Sequence, residues 1–271
     1  ICIMKLILLG LYIALKCAQC VDDTERAIDA KFAIGRGAIG DRILGGAAVS
    51  ETELPYVVTL LRRGVHDCGG SIVNEHYVLT AGHCIHRDDK YTVRAGTGVW
   101  RGKGEDHNAT EFILHPKHDD KYIKSYDIAL VKVEPPFNFS DKIRAVELPT
   151  FLESPPPGTK VLVSGWGAIA LNPQKMPDEL HAVHLYVISN EQCEKYYPGE
   201  IKDYMLCAGF DGGGRDACFG DSGGPLVDEK GKQVGVVSWG PFAMCASPDQ
   251  PYGVYTDVAV VRDWIANVTG A

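Results

Sequence analysis

The segment richest in chemistry is Gly220-Asp221-Ser222-Gly223-Gly224-Pro225, a serine set among glycines that let the backbone turn sharply and another molecule come close. A serine hydroxyl is a poor nucleophile at neutral pH. It needs a base within hydrogen-bond reach, and that base needs a carboxylate to orient it. Thr80-Ala81-Gly82-His83-Cys84 puts a histidine at the end of a β-rich run, beside a cysteine able to pin the loop, and Asp127-Ile128-Ala129-Leu130 puts an aspartate at the head of an apolar strand. Along the chain the order is His83, Asp127, Ser222. A serine hydrolase built on a strand–elbow–helix unit runs Ser, Asp, His, so this order excludes it. Other candidate clusters carry less. His115 with His118 and His181 with His184 have metal-like spacing, but residues three apart on a strand point to opposite faces, so surface histidines are expected rather than ligands.

Elements able to position such groups are short β-rich runs separated by turn residues: Tyr56 to Leu61, Ser71 to Thr80, Glu111 to Leu114, Asp127 to Val133, Lys160 to Ser164, Gln233 to Trp239 and Gly253 to Asp257. This spacing predicts an all-β barrel or sandwich architecture. Leu148 to Gly158 contains Pro155, Pro156 and Pro157, which cannot donate ladder hydrogen bonds, and a domain boundary is expected there. Val258, Val261, Trp264, Ile265 and Val268 share one face at helical spacing, so a helix should follow the strands. There is no internal repeat of fixed period. The 271 residues suffice for one large domain or two small ones, and 45% apolar with 23% charged residues is a globular composition. A net charge of −8 argues against nucleic acid or an anionic membrane as partner.

From Met4 the chain reads as signal-peptide grammar: Lys5, an apolar run from Leu6 to Leu15, then Ala18 and Cys20. The run is about half of the roughly 20 residues a spanning helix needs, so residues 1–20 are expected to be a leader with upstream residues, and the protein secreted. Setting aside Cys2, Cys17 and Cys20 leaves Cys68, Cys84, Cys193, Cys207, Cys218 and Cys245, an even set that fits three disulfides, whose pairing the sequence alone does not choose. Among these six, zinc spacing of the CxxC type is absent. Acceptor sequons at Asn108, Asn138 and Asn267 agree with an extracellular life and mark candidate glycosylation sites.

Taken together, these segments and their order resemble the trypsin and chymotrypsin family of serine proteases from Ile43 to the C-terminus. The resemblance implies two six-stranded antiparallel β-barrels, residues 43–150 and 151–271, the second ending in a helix. It implies that Ser222 attacks a scissile carbonyl, that His83 takes and returns the proton, and that Asp127 holds the imidazole, with the N–H groups of Gly220 and Ser222 as oxyanion hole. Asp216 matches the base of a pocket for Arg or Lys side chains, Gly240 and Gly253 its walls, and Ser238-Trp239-Gly240 the edge that pairs with substrate backbone. Arg42-Ile43-Leu44-Gly45-Gly46 resembles an activation junction, so that residues 21–42 form a propeptide and cutting after Arg42 frees an Ile43 ammonium for Asp221. The disulfides would be Cys68–Cys84, Cys193–Cys207 and Cys218–Cys245. Implied partners are protein or peptide substrates with Arg or Lys at the cleaved bond, protein protease inhibitors and an activating protease, with a monomeric enzyme requiring neither metal nor cofactor. Gly82 departs from the family's usual alanine, Pro241 to Met244 lengthen the span before Cys245, and Tyr252 sits where some relatives with tyrosine bind sodium. A catalytically lost binding protein on the same fold is the competing reading, disfavoured because all three reacting residues are present.

Overall fold

The computed structural model describes residues 45–271 except 87, 120, 123, 169–175 and 241–244. The expected leader, the propeptide, Arg42, Ile43 and the 241–244 insertion lie outside the described residues. Among the described residues no helix is long and apolar enough to cross a membrane.

Two antiparallel barrels carry the chain. The first contains β2 (Val57–Arg62), β3 (Val65–Asn74), β4 (Tyr77–Thr80), β5 (Tyr91–Ala95), β6 (Glu105–Leu114) and β7 (Ala129–Glu134), closed in the order β2-β3-β4-β7-β6-β5. The second contains β8 (Lys160–Gly165), β9 (His181–Ile188), β10 (Met205–Gly209), β11 (Pro225–Asp228), β12 (Gln233–Trp239) and β13 (Tyr252–Asp257), in the order β9-β10-β13-β12-β11-β8 and closed by β8 on β9. A two-residue strand, β1 (Ala47–Ala48), adds outside β9 through the register Ala47↔Ala182. Both barrels therefore visit their strands in the same relative order, a repeat of topology with no matching repeat in sequence. The proline-rich stretch 148–158 lies between β7 and β8.

Closure removes sheet edges, and inward-facing residues fill each interior. Leu60, Ile72, Leu79, Leu130 and Ile143 are fully buried around the first barrel, and Val163, Leu185 and Leu226 in the second. Burial of each contributes roughly 1.5–3 kcal/mol. Helix α1 (Asn190–Glu194) is a single short turn whose N-cap Ser189 accepts from Gln192 N–H. Helix α2 (Val258–Thr269) begins at Asp257, whose carboxylate accepts from Ala259 N–H at 2.9 Å, and ends at Gly270 with φ +73. Its Val258, Val261 and Ile265 join the apolar cluster of the first barrel, so the last helix packs back onto the first half of the fold.

Two expectations need correction. The run Ser71 to Thr80 is not one strand: it is the end of β3, a turn at 75–76, and β4. His115 and His181 are not surface residues. Both are buried, His115 stacked on Tyr126 with its Nδ1 accepting Lys117 N–H and His181 with Nδ1 bonded to the Glu179 carbonyl, so in each a ring nitrogen finds a backbone partner.

Candidate active site

His83 sits in a 3-10 turn, Gly82–Cys84, directly after β4. Cys84 ties this turn to β3 through the Cys68–Cys84 disulfide. Gly82 has a steric reason: a β-carbon there would lie 2.8 Å from Cε1 of His118, whose ring fills the space. Asp127 precedes β7, is 1% exposed, and is met by donors from both barrels. Its Oδ1 accepts His83 N–H at 2.8 Å, and its Oδ2 accepts Ser238 Oγ–H at 2.6 Å and lies 2.7 Å from His83 Nδ1. The carboxylate can only accept here, so Nδ1 carries the hydrogen and Nε2 is left as the basic nitrogen. Burial works against the charged imidazolium, but the Asp127 charge and hydrogen bond outweigh it and hold His83 above its ordinary value of 6.5.

Ser222 lies in the turn between β10 and β11, half-buried and fastened on both sides. Its carbonyl accepts Gly69 N–H of β3 at 2.8 Å, while Gly223 N–H donates to Val237 of β12 at 2.8 Å. The Phe219 carbonyl accepts Ala168 N–H at 2.7 Å, which turns the Gly220 N–H the other way across the planar peptide. The Gly220 carbonyl lies 2.9 Å from Nε2 of buried His66. Burial lowers the His66 pKa and keeps the ring neutral, so Nε2–H donates to Gly220 and Nδ1 accepts from Thr59 Oγ1 at 2.7 Å. Gly220 itself has φ +96, a conformation glycine alone adopts without strain. Among the described residues, the N–H groups of Gly220 and Ser222 donate to no backbone carbonyl.

One cavity of about 260 Å3 is lined by His83, Asp127 and Ser222 together with Asp216, Ser238, Trp239, Gly240 and Gly253. No hydrogen bond among the described residues links Ser222 Oγ to His83 Nε2, although both line the same cavity. Asp216 is 1% exposed. Its Oδ2 accepts Ala246 N–H at 3.3 Å, whereas Oδ1 accepts no hydrogen bond among the described residues. Burial pushes this carboxyl up to about 8. A β-carbon at Gly253 would stand 2.8 Å from that bare oxygen, and one at Gly240 would meet only the Gly253 Cα at 3.8 Å, so side chains at either position would intrude on the space beside Asp216. The pocket is braced by Cys218–Cys245, and Cys193–Cys207 joins α1 to β10. These three disulfides are the pairs implied by the family resemblance. Asp221 is fully buried, its oxygens accepting Gly167 N–H at 2.8 Å and Cys218 N–H at 2.9 Å, and burial pushes it up to about 6. Cys68, His83 and Cys84 cluster tightly, but the two sulfurs are joined in a disulfide and offer no thiolates to a metal. Asn108, Asn138 and Asn267 are all exposed, and so is Phe219.

Sequence reading missed the Ser238 and Thr256 hydroxyls, the latter donating to the Asp127 carbonyl at 2.7 Å, and it missed His66. Nothing local marks them, since each acts on a residue more than a hundred positions away.

Two closed six-stranded antiparallel barrels with a C-terminal helix, sharing a cavity lined by serine, histidine and aspartate, define a serine endopeptidase of trypsin-like fold. A family model described as Trypsin matches residues 43–265. The chain is 42% identical to Serine protease 1 of Homo sapiens over 234 residues, 85% of this chain and 91% of the relative. It is 41% identical to Trypsin 5G1 of Aedes aegypti over 233 residues, 84% and 85% of the two. Among solved structures it resembles neuropsin, a serine protease expressed in the limbic system of mouse brain, with TM-score 0.76 and 33% identity, covering 82% of this chain and 97% of that one. The chain belongs to the trypsin family.

Proposed function

We propose that this protein is a secreted endopeptidase, made as an inactive precursor, that cleaves peptide bonds after Arg or Lys. The observation that carries the specificity is the bare Oδ1 of Asp216, buried in the same cavity as Ser222 and His83. A buried carboxylate with an open acceptor is costly until a cation reaches it, and a guanidinium or ammonium on a long apolar stem fits that need.

In this reading a substrate seated on Asp216 brings its scissile carbonyl to Ser222. Seating tightens the contact between Ser222 Oγ and His83 Nε2, as such contacts often tighten only with substrate bound. His83 accepts the serine proton at Nε2, and the imidazolium is stabilised by Asp127 through Nδ1–H. The hydroxyl oxygen bonds the carbonyl carbon, and the developing oxyanion is received by the N–H groups of Gly220 and Ser222, each worth about 10²–10³ in rate by the precedent of such sites. His83 then returns the proton to the leaving amine, and water repeats the sequence to release the acyl group. Because His83 is held above 6.5, its basic form and hence activity are gained as pH rises through that raised value.

Residues 1–20 would be removed as leader and 21–42 as propeptide, leaving barrels at 43–150 and 151–271. Cutting after Arg42 would give an Ile43 ammonium whose partner is Asp221, a buried carboxylate that accepts two backbone N–H groups among the described residues. Three disulfides suit an oxidising compartment, and exposed Asn108, Asn138 and Asn267 are candidate glycosylation sites. The enzyme would act as a monomer on protein substrates, be met by protein protease inhibitors, and need an activating protease but no metal or cofactor.

The test is hydrolysis of an Arg-amide peptide before and after cleavage behind Arg42. Activity is expected only after the cut, with none in cut Ser222→Ala. Equal activity in both forms removes the precursor reading, and activity in Ser222→Ala removes the nucleophile.

A further inference from the structure

Tyr126, the residue before Asp127, has φ +41, in the left-handed region that a bulky side chain rarely occupies. Ile128 N–H donates back to the Tyr126 carbonyl at 2.8 Å, so the chain folds tightly around Asp127. A backbone held this way persists only where its surroundings over-determine it. Here those surroundings are aromatic rings.

His115 stacks on Tyr126 with centroids 4.7 Å apart and planes 4° from parallel, and Tyr204 stacks at 4.0 Å and 23°. Two near-parallel rings at these distances can only take opposite faces of the tyrosine. Trp264 of α2 closes the column edge-on against His115 at 5.0 Å and 71°. Lys117 Nζ adds a cation 5.0 Å from the Tyr126 centroid, 3.4 Å from its hydroxyl. Burial, with Lys117 and His118 nearby, lowers the His115 pKa to about 4, so its ring stacks in the neutral form. The column therefore sets two residues of the first half of the chain between Tyr204, just before β10, and Trp264, in α2. His115 N–H also donates to the Ile128 carbonyl at 3.1 Å, tying the stack to the far side of Asp127.

We propose that Tyr126 is a positioning residue for the Asp127–His83 pair: clamped between His115 and Tyr204, it holds the left-handed turn that aims the Asp127 carboxylate at the 82–84 turn. The inference rests on the roles proposed for Ser222, His83 and Asp127.

The experiment compares activated wild type with Tyr126→Phe, Tyr126→Gly and Tyr204→Ala, reading kcat, KM and the acid limb of the pH profile on an Arg-amide substrate. The Phe variant keeps the stacked ring and should remain within about twofold of wild type. The Gly variant relieves the backbone but loses both stacks. Its kcat should fall roughly three- to tenfold, the change that one or two aromatic pairs correspond to, with KM held within about twofold. Its acid limb should move to lower pH, since a misaimed Asp127 no longer raises His83. Tyr204→Ala should move the same quantities the same way by less, and it decides the matter if the Gly variant fails to fold. Unchanged kcat and acid limb in the folded Gly variant, or in Tyr204→Ala, would overturn the proposal, as would a Phe variant as impaired as Gly. Ser222→Ala separates the layers. If it is inactive while the Tyr126 and Tyr204 variants are silent, only this inference falls, whereas an active Ser222→Ala removes the reading beneath it.

Discussion

Asp127 and Asp216 line the same cavity and are equally buried, 1% exposed each, yet they are satisfied in opposite ways. Asp127 receives the His83 backbone N–H, the His83 ring and the Ser238 hydroxyl, so both its oxygens are occupied. Asp216 is met among the described residues by backbone N–H groups alone, Ala246 on Oδ2 at 3.3 Å with Ala217 nearby, and its Oδ1 lacks a well-formed hydrogen bond. A filled carboxylate organises its neighbours, while an unfilled one is a vacancy with a charge preference. Burial is common to both, so the kind and number of partners is what separates them, and it fits the orienting role proposed for Asp127 and the selecting role proposed for Asp216.

The contrast can be broken most severely at the filled site. Asp127→Asn should keep the shape but disturb the His83 tautomer, and kcat should fall about 10⁴-fold in steady-state assays, as the same change does in related serine proteases. A loss below tenfold would mean that Asp127 does not orient the base. At the unfilled site, Asp216→Ser should lower kcat/KM for Arg and Lys substrates by roughly 10³-fold or more, equivalent to several kcal/mol, while a burst titration of Ser222 remains intact. Retained preference for Arg would end the pocket assignment.

A smaller effect sharpens the same comparison through protons. The Asp216 carboxyl is raised to about 8, so near neutral pH it is largely protonated and a cation must displace that proton. Binding of a guanidinium probe should therefore release close to one proton at pH 7, weakening about tenfold for each pH unit below about 8 until a second group titrates. Calorimetry in buffers of different ionisation enthalpy reads this directly, and a pH-independent affinity counts against it. The same group bears on stability. Its folded pKa lies above its unfolded 3.8, so its contribution is fully present below 3.8 and is lost as pH rises to about 8. The mildest test is Gly82→Ala, which restores the residue more usual in the family. The added methyl would meet the His118 ring at 2.8 Å, so a loss of roughly 1 kcal/mol in thermal unfolding is expected. Pairing it with His118→Ala should recover that loss.

The architecture was partly legible before coordinates. Gln233 to Trp239 is a strand over the same residues, and the helix after the last strand follows the spacing of Val258, Val261 and Ile265. Met205–Gly209 gives no alternation because both its faces are buried, and Pro225–Asp228 opens on a proline, so neither reads as a strand locally, whereas His181–Ile188 does alternate, with Val183, Leu185 and Val187 inward and Tyr186 exposed. At the site, His83, Asp127, Ser222 and Asp216 stand in recognisable local sequence, and they do line one cavity. Thr256, His66 and the hydroxyl role of Ser238, which reads in sequence only as part of the substrate-pairing edge, could not be found this way. Their importance comes from a register shift in the β12–β13 ladder between Val237 and Trp239, and from barrel-to-barrel contacts that no local pattern encodes.

That the Asp127 carboxylate and carbonyl take hydroxyl groups from β12 and β13 has a consequence for biosynthesis. A ribosome that has released only the first barrel has already made the histidine and the aspartate, but neither Ser238 nor Thr256 to hold them, and α2 has not yet covered the apolar cluster it completes. The emerging half-molecule is thus unfinished at its core, and the pairing of Asp127 with its hydroxyl donors waits until the second barrel has emerged.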